Sequence, residues 1–115
     1  MNFTGSSIVP AAEGYVKVKK DKNNNYSIQV AVTNLAGPER LQTPKKLYIV
    51  WAENAEKTSK NIGQITTSSS MLSKALKASL TAVTPFKPTR VFITAGDDGN
   101  IQYPGNLVVL STQQF

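Results

Sequence analysis

The sequence predicts an all-β fold: an antiparallel β-sandwich, immunoglobulin-like, with seven to eight strands. Three observations predict it. Apolar residues recur with a period of two in several separate segments, as in strands with one face in a core. Clusters of Asp, Asn, Gly and Pro punctuate those segments at the spacing of a sandwich. The chain has 115 residues, 40% of them hydrophobic and 17% charged, which suits one folded domain. It holds no cysteine, so no disulfide substitutes for a core.

Residues 1–13 read as a flexible N-terminal segment with a short edge strand at Ile8-Val9, closed by Pro10, and residues 14–115 as a single sandwich domain. Gly14 opens a strand in which Val16 and Val18 share one face and Lys17 and Lys19 the other. Asp21 to Asn25 is a turn, because Asn and Asp tolerate left-handed backbone angles and bond their own main chain. Its oxygens lack the acidic spacing of a calcium loop. Ile28, Val30 and Val32 alternate with Gln29, Ala31 and Thr33 in the clearest strand of the chain. Gly37-Pro38 and Thr43-Pro44 bracket a loop, and Leu47 to Ala52 follows as a central strand, apolar on both faces. Trp51 is the expected core anchor, with Tyr48 at the edge of that core. Residues 53–61 read as a polar loop and Ile62 to Ile65 as a short strand.

Residues 71–83 fit two periods. A helix would align Leu72, Leu76, Ser79, Leu80 and Val83; a strand would turn Leu76, Ala78, Leu80 and Ala82 inward. The surrounding elements favour the strand, with a helical turn near Met71 to Lys74 still compatible. Pro85 and Pro88 force an extended crossover, after which Val91, Ile93 and Ala95 share one face of a strand. Gly96 to Asn100 and Tyr103 to Asn106 are turns, and Leu107 to Ser111 closes the domain. The expected core comprises Val16, Val18, Ile28, Val30, Val32, Ile49, Trp51, Leu76, Leu80, Ile93 and Val109, interleaved between two layers.

The chain has no histidine, which with the missing cysteine removes the commonest base, thiol nucleophile and soft metal ligands. Its acids are Glu13, Asp21, Glu39, Glu53, Glu56, Asp97 and Asp98. Glycoside hydrolysis needs two carboxylates across a cleft, and Glu53 with Asp97 or Asp98 is the pairing to test. Asp97 and Asp98 are also the candidate metal ligands, against a plain turn-forming role. Ser70 to Lys74 offers a serine-lysine spacing without recognisable partners, and no glycine-rich phosphate loop is present. The expectation is a protein that is not an enzyme and takes no cofactor. Tyr48, Trp51 and Tyr103 are the candidate stacking residues for an alternative, carbohydrate- or surface-binding function.

The net charge is +6, and Arg40 and Arg90 are the only arginines among thirteen cations. Lysine solubilises but does not grip phosphates in bidentate fashion, so no specific nucleic-acid recognition is expected, and polyanion binding would be unspecific. No run approaches the ~20 apolar residues of a membrane span. The N-terminus has no export-signal pattern. Two origins fit it: a cytoplasmic protein, or a mature segment begun at Met1 after an export signal.

Leu47-Tyr48-Ile49-Val50-Trp51-Ala52, followed by Asn61-Ile62-Gly63-Gln64-Ile65, resembles the "Y-x-x-W … L-G" pattern of the extracytoplasmic domain of anti-sigma-K factors. Phe92 to Asp98, then Tyr103 to Leu110, is similar to that family's closing segment, an acidic turn leading to "P-x-G-x-V-V-L". The similarity covers residues 47–65 and 91–111, and Gly96 stands where the family usually has Glu. Val9 to Gly14 also looks like the opening of small exported or lipid-anchored proteins of Bacteroidetes. The resemblance implies an extracytoplasmic sandwich, in the periplasm or at the cell surface, with a possible upstream anchor. The expected function, taken with the rest of the sequence, is a non-catalytic, envelope-exposed module for interaction or sensing toward a protein or cell-envelope component. The resemblance carries no regulatory role, since the sigma-binding helices and the membrane span of an anti-sigma factor are not in these residues. The motifs are core aromatics and turn glycines, which speak for fold more than activity.

Overall fold

The computed structural model describes residues 2–4, 12–35, 45–65, 68–69, 76–104 and 107–113. Eight strands form two four-stranded antiparallel sheets: β1 (Glu13–Lys20), β2 (Tyr26–Thr33), β5 (Ser68–Ser69) and β6 (Leu76–Thr84) in the order β1-β2-β6-β5, and β3 (Leu47–Glu53), β4 (Ser59–Ile65), β7 (Arg90–Gly96) and β8 (Val108–Ser111) in the order β4-β3-β7-β8. Successive pairs of strands alternate between the sheets, so the chain crosses from layer to layer after β2, β4 and β6. The strand reading of residues 76–83 holds: Ala78 is buried, while Ser79 and Thr81 point outward. Residues 71–75 lie outside the described residues, as do the Ile8-Val9 edge strand, the loop of residues 36–44 and the side chain of Leu76.

One apolar cluster fills the space between the sheets. Val16, Ile28, Val30 and Val32 enter it from the first sheet, and Tyr48, Val50, Ala52, Val91 and Ile93 from the second. Val18 and Leu80 are half-buried against it. A bulge in the β7–β8 pairing between Ile93 and Thr94 lets consecutive residues Val109 and Leu110 both bury into this core. Gly14 sits where β1 meets β2, and a Cβ there would collide with the Ala31 carbonyl oxygen. Only glycine permits that approach.

Two expectations about the core are corrected. Tyr48 is not at the edge of the interlayer core but wholly inside it. Ile49 and Trp51 do not interleave between the layers: they form a second cluster with Phe92 on the outer face of the second sheet. Side chains alternate along β3, so Tyr48, Val50 and Ala52 take one face and Ile49 and Trp51 the other. Trp51 nevertheless has no exposure. It stacks on its cross-strand partner Phe92 with ring centroids 6.4 Å apart and planes 13° from parallel. Its indole N–H donates to the Thr94 hydroxyl at 2.9 Å, and Leu47 and Ile101 pack over the cluster.

The polar loop expected over residues 53–61 is mostly strand. β4 begins at Ser59, and a tight hairpin replaces the loop. Asn54 Oδ1 accepts the N–H groups of Glu56 and Thr58 at 2.9 and 3.0 Å. Asp21 Oδ1 does the same for Asn23 and Asn25 at 2.8 and 3.0 Å in the β1–β2 turn. Each turn also has a left-handed residue in the same place, Asn24 and Lys57, both with φ 63°. The N-terminus is tied to both layers. Phe3 N–H donates to the Gly14 carbonyl at 3.0 Å, and Thr4 N–H to that of Ser111 at 2.8 Å.

Candidate functional site

The aromatic residues expected to form a stacking platform are mostly committed elsewhere. Tyr48 and Trp51 have no exposed surface, so neither ring can receive a ligand in this fold. Of these three, only Tyr103, 84% exposed on the β7–β8 loop, presents surface to solvent.

The acids are likewise in use. Asp98 Oδ1 accepts the Asn100 N–H at 2.9 Å, holding the turn. Asp97 lies 3.9 Å from the Lys45 ammonium. Glu53 is nearly buried and pairs with Arg90 at 3.4 Å, while the Arg90 guanidinium lies 4.8 Å over the Phe92 ring. Glu53 and Asp97 cannot face each other across one cleft. Glu53 is opposite Arg90, whereas Gly96, beside Asp97, is opposite Leu47 at the far end of β3, roughly 20 Å away along the strand. That separation is well beyond the ~5–10 Å that glycoside hydrolysis requires. Among the described residues no group of three or more acids, histidines or cysteines could hold a metal ion. Ser70 and Lys74 lie outside the described residues.

Two surfaces remain. The first is a groove between edge strand β4 and the β7–β8 loop, lined by Asn61, Gln64, Asn100 and Gln102. Asn61 builds it: its side-chain amide donates to the Gly99 and Ile101 carbonyls at 2.8 and 3.1 Å, and its oxygen accepts the Gly63 N–H at 2.9 Å. Asn61 thereby straps the loop over Trp51. The bulge opposite Val50 and Trp51, Gly63 at φ 138° and exposed Lys60 blunt β4 against pairing with another chain.

The second surface is the outer face of the first sheet. Its cross-strand rows run Tyr15, Ala31, Ser79; then Lys17, Gln29, Thr81; then Lys19, Ser27, Val83. No carboxylate stands in those rows. Tyr15 is 38% exposed with the Lys17 ammonium 5.3 Å from its ring centroid. Its ring also borders a cleft of about 620 Å³ beside Phe3 and Thr33. Sequence reasoning missed Tyr15 as a surface aromatic, although its parity with Lys17 and Lys19 was the signal. Asn61 had no comparable signal, since its partners are carbonyls some forty residues away.

No helix of the described residues is long and apolar enough to cross a membrane. Comparison with protein-family models, with curated proteins and with solved structures finds no match. The fold and these surfaces therefore define the class: an all-β module of two antiparallel sheets, without a metal-binding cluster among its described residues.

Proposed function

We propose that this chain is a non-catalytic, envelope-exposed interaction module with an immunoglobulin-like sandwich. The observation that carries the reading is the commitment of five candidate side chains among the described residues to the scaffold: Asp21 and Asp98 hold turns, Glu53 and Asp97 form ion pairs, and Trp51 packs under a loop. What is left for function is surface. The strand orders β1-β2-β6-β5 and β4-β3-β7-β8 support the immunoglobulin-like assignment, since they correspond to the A-B-E-D and C′-C-F-G orders of that architecture. The extracytoplasmic placement rests on the resemblance to anti-sigma-K domains. The buried pair Tyr48 and Trp51, one in each apolar cluster, gives that motif a structural role. Exposed Tyr103 favours carbohydrate as a second reading.

The test is protease accessibility of the tagged natural gene product in intact and in outer-membrane-permeabilised cells. Cleavage in either without lysis supports the reading. Full protection with recovery in the soluble cytoplasm overturns the placement.

A further inference from the structure

We propose that the outer face of the β1-β2-β6-β5 sheet binds a linear anionic glycan, an inference that rests on the interaction-module reading and names its ligand class. The three central rows span roughly 14 Å along the strands and 10 Å across them. Lys17 and Lys19 line the β1 side, one strand repeat apart, and neither forms an ion pair among the described residues. Beside them Ser27, Gln29 and Thr81 supply hydroxyl and amide groups that donate and accept, as sugar hydroxyls require. Tyr15 closes one end with a half-exposed ring suited to stacking on the apolar face of a pyranose. Lysine charge then takes the acidic groups of the polymer, adding to the attraction of a molecule with net charge +6.

The composition favours a glycan over the other polyanions. A bilayer surface selects exposed apolar wedges, and among the described residues of the face Val83 is the only strongly exposed aliphatic. A nucleic acid selects arginine forks and several stacking rings, whereas these rows hold lysines and one tyrosine. Glu13, at the Tyr15 end of β1, and Asp21, in the β1–β2 turn just beyond Lys19, flank this face at its two ends, so the acidic groups of the polymer are directed between them onto Lys17 and Lys19.

The test is a titration of the whole chain with alginate, a linear polyuronate, at low and high salt, read by backbone amide shifts. Neutral dextran and phosphatidylglycerol vesicles are run in parallel. The proposal predicts salt-sensitive alginate binding with shifts centred on Gln29 and Thr81. The double variant Lys17→Gln, Lys19→Gln should weaken it about tenfold, and Tyr15→Ala, with charge unchanged, about fivefold. Lys57→Gln with Lys60→Gln, which removes the same charge from the β3–β4 hairpin, should leave it within about twofold. Equal losses from both lysine pairs would mean a net-charge effect and overturn the proposal. So would stronger binding to the vesicles, or no alginate binding by the folded chain. Each of those results leaves the envelope placement of the module reading standing, because protease accessibility decides that placement separately.

Discussion

Asn24 and Lys57 occupy the same position in two equivalent turns, and only one of them suits it. Both adopt φ 63°, a region that Asn enters readily through local hydrogen bonding and that a long side chain enters at a cost of about 1–2 kcal/mol. Lys57→Asn should therefore raise stability by about 1 kcal/mol in urea denaturation, and Asn24→Lys should lower it by a similar amount. Gly14 makes the opposite kind of demand. An added methyl meets the Ala31 carbonyl oxygen and the Val32 backbone rather than a side chain that can move, so Gly14→Ala should cost about 1–3 kcal/mol by the same assay. The two turns also explain an uneven reading of the sequence. Asp21-Lys22-Asn23-Asn24-Asn25 announces itself, because every turn position carries a turn residue. Asn54 to Thr58 folds identically, but with Lys57 at the left-handed position the only cue is Asn54 itself, and the hairpin reads as a longer loop.

The β7–β8 loop is the element that decides what Trp51 does. Asn61 reaches across from β4 with two hydrogen bonds while a third fixes its side chain to the β4 backbone, and the strapped loop lowers Ile101 onto the outer cluster. Asn61→Ala should cost about 1–3 kcal/mol. It should also open Trp51 to acrylamide while leaving the far-ultraviolet circular dichroism of the sheets intact. The alternation of β3 was legible, and so was its place as a strand covered on both sides. Which parity faces the other sheet was not. When both faces are apolar the hydrophobic pattern no longer fixes the orientation, and the choice falls to partners distant in sequence: Val91 and Ile93 inward, Phe92 and Thr94 outward. Tyr48 and Trp51 read as possible stacking residues for the same reason. Their covering elements, the first sheet and the β7–β8 loop, carry no mark in the β3 sequence.

At the scale of the whole molecule, the interlayer cluster draws side chains from both sheets and binds them into one folding unit. Ile93→Ala, which empties its centre, should cost about 2–5 kcal/mol, and the variant should still unfold in a single transition by tyrosine and tryptophan signals alike. Around that interior the two outer faces differ in kind. The second sheet's is apolar and covered by the chain's own loop, whereas the described rows of the first sheet's carry lysines and polar side chains with exposed surface. In the proposed function this asymmetry divides the roles, with interaction on one face and stability on the other. Its most direct measurement is the fluorescence of Trp51, the single tryptophan of the chain. Buried beneath the β7–β8 loop, Trp51 should emit well to the blue of the unfolded chain, with almost no acrylamide quenching and no change when a glycan is added. Emission at the position of the unfolded chain, or free quenching by acrylamide in the native protein, would contradict it.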